Sequence, residues 1–218
     1  MFLGLDRKVW GRVILVVLFS IAFGYIESAV VVYLRAIFYP AGFIFPIADF
    51  SQMAGAMPFL LTEMGREAAT LVTILTGALL IGKDARSRWA WFLIIFAVWD
   101  IFYYVWLKVL LNWPSSILDW DILFLMPAVW AGPVLAPVIT SCVMLWIAWI
   151  LLGEREFRLS QGSAAGLIVI LLLIVVCFCV AGVRITEADY AAYFSWPIFL
   201  ALHAAVIVLI ARGMGKKI

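Results

Sequence analysis

A chain of 218 residues that is 67% hydrophobic and 13% charged carries more apolar surface than a soluble core of its size can hide; soluble domains hold about 45–50% apolar and about 25% charged residues. The net charge of +2 is too small to argue for a nucleic-acid partner, so composition selects the lipid bilayer as the chain's surroundings. Cys142, Cys177 and Cys179 lie inside apolar runs, without the spacing of a redox pair or a zinc site.

A helix needs about 20 apolar residues to cross a hydrocarbon core about 30 Å thick. Six segments meet that need: Val13–Leu34, Thr62–Gly82, Trp89–Leu111, Pro133–Leu152, Ala164–Val183 and Phe194–Ile210. None alternates in the manner of a membrane β-strand. The expected fold is therefore all-α, a single polytopic membrane domain of six transmembrane helices. The basic start at Arg7, Lys8 and Arg12 and the small residues Ala22 and Gly24 invite comparison with a cleaved leader, but the apolar run continues to Leu34 and reads as a span.

In the first span, Ser20, Gly24 and Ser28 form a stripe of small residues suited to close helix packing. Glu27 flanks that stripe and Arg35 follows two turns later. The connection to the second span is long and apolar, FIFPIADFSQMAGAMPFLL, and reads as an interfacial cover, with Met53, Met57 and Met64 as packing residues rather than a soft-metal site. The second span opens with Glu63, Arg66 and Glu67 and continues through Thr70, Thr73 and Gly77.

The third span holds Asp100 near mid-depth. Tyr104 and Lys108 follow at steps of four, so all three share a helical face, with Tyr103 on the adjoining stripe. This spacing predicts a Tyr104–Asp100 hydrogen bond, while Lys108 is about 12 Å from Asp100 along the axis. Next comes DILFLMPAVWAGPVLAP, with Pro127, Pro133 and Pro137. Two readings stay open for it: a half-helix or re-entrant piece over Ile122–Gly132, or one kinked helix running into the fourth span. The fourth span carries Thr140 and Ser141 with no base in sequence reach. His203, the only histidine, lies near the middle of the sixth span and reads first as a packed side chain.

The basic residues orient the six spans. Arg7, Lys8, Arg12, Lys83, Arg86, Arg88, Arg155, Arg158, Arg212, Lys216 and Lys217 fall on one side, and only Arg35, Arg66, Lys108 and Arg184 on the other. The positive-inside rule then expects both termini in the cytoplasm of a bacterial-type inner membrane. Trp10, Trp89, Trp91, Trp146 and Trp149 form one aromatic belt, and Trp113, Trp120, Trp130 and Trp196 the other. The acids sort oppositely: Glu27, Asp49, Glu63, Glu67, Asp100, Asp119, Asp121, Glu187 and Asp189 lie within the membrane or outside, against Asp6, Asp84, Glu154 and Glu156 inside.

A lone carboxylate at mid-bilayer costs about 2.5–3.5 kcal/mol on insertion scales, so it turns inward, finds a partner or takes up a proton. The expectation is an outward-facing polar cavity among spans one, two, three and six. Glu27, Glu67 and Asp100 supply its negative groups, Arg35, Arg66 and Lys108 balance it near the mouth, and Tyr103, Tyr104, Asp121 and His203 complete the binding set. The competing expectation is that these groups only tie helices together. Binding or transport of a cation, proton or small polar-headed molecule is the leading functional reading. A non-catalytic membrane subunit of a larger complex, including one handling electrons or quinone, is the second. An intramembrane enzyme acting on lipid, with Asp100, Glu27 or Asp121 as acid or base, is the third. No GxSxG, P-loop or dinucleotide fingerprint is present. One histidine argues against a haem centre, and the signal for a metal centre is weak. No catalytic residue and no cofactor is assigned.

Overall fold

The apolar segments end on residues that satisfy free backbone groups. In the computed structural model, Asp84 opens the third helix with a capping box: its carboxylate accepts from Ser87 N–H at 2.8 Å, and Ser87 Oγ accepts from Asp84 N–H at 3.1 Å. That helix closes on Asn112, whose φ of 53° is left-handed. The structure describes residues 7–47, 56–153 and 156–215; Asp6, Asp49, Met53, Glu154, Arg155, Lys216 and Lys217 lie outside them.

Six helices are long and apolar enough to cross a membrane: α1 Arg7–Phe38, α2 Ala56–Ile81, α3 Ala85–Leu111, α4 Leu135–Leu152, α5 Gln161–Gly182 and α6 Trp196–Gly213. Helix α3 is the hub, packed on α1, α2 and α4, while α5 pairs with α6. The small stripe of α1 faces α3. A Cβ at Gly24 would lie 3.0 Å from the Trp99 carbonyl oxygen, so glycine is what permits the close approach. Ser28 Oγ donates to the Tyr103 carbonyl at 2.9 Å, and Trp106 Nε1 donates to that of Ile21 at 3.0 Å. Outward-facing Leu15, Ile26, Leu80, Ile168 and Leu172 are exposed, the pattern of a bundle whose solvent is lipid.

One end of the bundle gathers the start of α1, the end of α6 and two connections. Arg86 donates to the carbonyls of Ile150, Leu151 and Gly153, and Arg158 N–H donates to Gly213 O. Val9 and Arg12 of α1 border a small cleft there with Lys83 and Gly153.

At the opposite end the region before α4 departs from both sequence readings. Trp120–Phe124 (β1) and Trp130–Pro133 (β2) form an antiparallel hairpin, with Asp121 opposite Gly132 and Phe124 opposite Trp130. Leu123 is the extra residue of a bulge between Ile122 and Phe124. No helix is broken by proline here: Pro127 lies between the strands, Pro133 ends β2, and Pro137 sits in the first turn of α4, where its missing N–H costs nothing. The hairpin enters the bundle, with the Phe124 ring 6.4 Å from that of Trp99, mid-way along α3. It also lies directly on α5, because a Cβ at Gly182 would collide with the Val129 carbonyl oxygen. The described part of the first long connection covers this end: Phe45 packs on Trp120 and Tyr190, and Ile47 N–H donates to Ile185 O at 3.0 Å.

Candidate functional site

Between the hairpin and the helices lies a cavity of about 650 Å³, bordered by α1 through α5 and by β1. Glu27, Glu67, Asp100, Tyr103, Tyr104, Asp121, Arg35 and Arg66 all line it. The acids expected to turn inward therefore converge on shared space. The walls differ from expectation in one respect: α4 and α5 take the place assigned to α6.

Two polar groupings organise the site. In the first, Arg66 is clamped by Glu27 across the α1–α2 seam and by Glu63 one turn back on its own helix. Thr70 Oγ1 donates to the second Glu27 oxygen at 3.3 Å. The i, i+3 spacing of Glu63 and Arg66 was the available signal for Glu63, which also borders the cavity and was not in the expected binding set. In the second, Arg35 pairs with Asp121 at 3.0 Å, and Tyr103 Oη donates to the other Asp121 oxygen at 3.1 Å. The Arg35 guanidinium lies over the rings of Phe43 and Trp113, 4.1 and 3.8 Å from their centroids. Arg35 is thus a buried strut between α1 and the hairpin rather than a free cation at the mouth.

The remaining two acids have neutral partners. Asp100 accepts from Ser141 Oγ on α4 at 2.7 Å. Glu67 accepts from the N–H of Leu125, with both oxygens within 3.0 Å. That bond satisfies a partly buried backbone donor just past the end of β1, so Glu67 has a structural task as well as a place in the cavity. Ser141 was seen in the sequence as a hydroxyl without a base; its partner is an acid 41 residues away.

Three expectations are corrected. Tyr104 does not bond Asp100: its buried hydroxyl has no hydrogen-bond partner, and its ring packs on Tyr103 and Trp113. Lys108 is exposed beyond the cavity, where its Nζ donates to the carbonyls of Asn112 and Pro114 and helps close the end of α3. Two helical turns carry it past the acid whose face it shares. His203 is buried behind the cavity wall, with Nδ1 2.9 Å from Phe199 O and Nε2 3.0 Å from Thr140 Oγ1, joining α6 to α4.

Comparison with family models, curated proteins and solved structures found no match to this chain. The site must be read from its own chemistry. Among the described residues no cluster of three or more His, Cys, Asp or Glu side chains has the arrangement of a metal site. Five carboxylates, Glu27, Glu63, Glu67, Asp100 and Asp121, face two guanidiniums, Arg35 and Arg66, around one cavity. Such an arrangement favours positive charge, hydrogen-bond donors or protons over anions.

Proposed function

We propose that this chain binds, and carries across the membrane, a cation or a small molecule with a cationic head, using the carboxylate-lined cavity as its site. The observation that supports this reading is the surplus of three carboxylates over guanidiniums, with Asp100 and Glu67 accepting hydrogen bonds only from neutral donors. A buried ionised acid without a counter-ion is expensive in a low-dielectric interior, and a positively charged ligand or a proton removes that cost. Purely structural ties would be better served by balanced pairs of the Arg35–Asp121 kind.

The polar part of the cavity lies toward the end of the bundle away from the start of α1 and the end of α6. With the termini in the cytoplasm, as the distribution of lysine and arginine supports, it faces outward across a bacterial-type inner membrane. A reporter fused to the C-terminus and active only in the cytoplasm tests that orientation. For the site, the purified full chain in lipid nanodiscs is titrated with Na⁺, K⁺, Mg²⁺ and alkylammonium ions, and its Tm is followed. At least one cation should raise the Tm saturably in the native chain and not in Asp100→Asn or Glu67→Gln. Equal shifts in native and variant proteins would overturn the assignment. Uptake into vesicles, lost in the same variants, tests the transport step.

A further inference from the structure

We infer that the ligand is a single-chain amphiphile with a protonated amine head, taken sideways from the bilayer on the side where α2 and α5 border the cavity. This rests on the reading of the cavity as a cation site and adds the chemistry of the rest of the molecule.

Size is the first argument. About 650 Å³ lies in the range of small-molecule pockets, roughly 300–1,000 Å³, and far exceeds what a bare ion or proton requires. Shape is the second. The polar groups occupy the hairpin end, whereas toward the terminal end the lining becomes Phe92 and Phe96 on α3, Met144 on α4 and Val175 on α5. Phe92 is eight residues before Asp100 on one helix, about 12 Å along its axis. That distance suits an extended hydrocarbon chain below a polar head.

The route is the third argument. Phe59 of α2 and Leu171 of α5 line the cavity, yet they are 44% and 53% exposed on the bundle surface. Both helices border the cavity and each is anchored elsewhere, α2 on α3 and α5 on the hairpin and α6. The cavity lining thus includes, on both helices, side chains that also reach the outer surface of the bundle. The fourth argument is Tyr104. Its hydroxyl is without a hydrogen-bond partner, the residue is only 6% exposed, and it lines the cavity one turn from Asp100. Buried hydroxyls are rarely left unpaired. An ammonium head has three donors, and Asp100, Glu67 and the Tyr104 oxygen are acceptors for them.

The test uses the full chain in nanodiscs and three probes: dodecylammonium, ethylammonium and dodecanoate, each dosed by free concentration or by mole fraction in the lipid. Dodecylammonium should raise the Tm saturably, at least a hundredfold more tightly than ethylammonium, and dodecanoate should not compete. Val175→Trp, which fills the apolar arm, should weaken dodecylammonium at least tenfold while leaving Tm without probe and the response to small cations unchanged. If that variant fails to fold, Leu171→Trp at the exposed rim serves instead, with the same result expected. Tyr104→Phe should weaken dodecylammonium about tenfold. Equal affinity for ethylammonium and dodecylammonium would overturn the tail assignment and leave the cation site standing. Effective competition by dodecanoate would overturn the head assignment. Binding of metal ions alone, with no alkylammonium response, would overturn the inference and leave the cation reading in place.

Discussion

Ser141 Oγ donates to Asp100 Oδ2 at 2.7 Å, joining α4 to α3 through a neutral donor and a buried acid. Among the described residues, no lysine, arginine or histidine forms an ion pair with Asp100. The two possible roles of this acid separate by mutation. Asp100→Asn keeps a carbonyl oxygen for the serine hydroxyl and removes only the charge. It should fold in normal yield and lose cation binding. Ser141→Ala removes the donor from a buried acceptor and should lower stability by about 1–3 kcal/mol, read as a lower Tm in detergent. If Asp100→Asn instead destabilises the protein and binds as the native chain does, Asp100 is a tie and not a site.

Glu67 has the same two roles in different proportion. Glu67→Gln retains an oxygen for the Leu125 N–H, so thermal stability should stay within about 1 kcal/mol of native. Glu67→Ala leaves a hairpin N–H without its acceptor and should cost about 1–3 kcal/mol. Cation binding should fall in both variants. Equal stability for Gln and Ala would show that the hairpin does not depend on this bond.

The six long apolar helices were legible because their cues are local: apolar length, and the Ser20, Gly24, Ser28 stripe that meets α3. The inward turn of Glu27, Glu67 and Asp100 was legible too, since lipid leaves a carboxylate few alternatives. Which helices close the cavity was not. Helical periodicity gives each helix an inner face but does not rank neighbours, so α6 was assigned a wall that α4 and α5 supply. Tyr104 and Lys108 share the face of Asp100, yet a shared face fixes direction and not depth or partner. The hairpin was not read as paired strands because short apolar runs cannot be told from buried helix by periodicity alone. Its cue was length, two short segments of five and four residues on either side of residues 125–129. The compensation that makes it viable comes from distant residues, Glu67 and Gly182.

Arg35 and Asp121 form a buried pair whose side chains are 9% and 3% exposed. Removing one partner strands the other, so Arg35→Ala and Asp121→Ala should each cost about 3–5 kcal/mol. Replacing both with apolar residues, as in Arg35→Met with Asp121→Leu, should cost less than either single change. Arg35→Lys keeps the charge but loses the planar stack on Phe43 and Trp113 and should not restore native stability. Folded yield and Tm in detergent decide this. Additive losses in the double variant would mean that the pair is not coupled.

Gly182 tests whether the hairpin is seated as described. A Cβ there would collide with the Val129 carbonyl oxygen and lie 3.2 Å from Trp130 N, both backbone atoms that no side-chain rotation can move aside. Gly182→Ala must push the hairpin off α5, and with it Asp121 and the Leu125 N–H that hold Arg35 and Glu67. The cost should be at least about 2 kcal/mol, in the range of overpacked cores, and cation binding should fall although no binding residue was touched. Gly65 on α2 is the control, because a Cβ there has nothing within 4 Å. Gly65→Ala should be neutral or stabilise by about 0.5–1 kcal/mol through helix propensity alone. Parallel Tm measurements on the two variants decide the point: if Gly182→Ala is as benign as Gly65→Ala, the hairpin does not rest on α5 at Val129, and the cavity loses the wall that brings Asp121 to it.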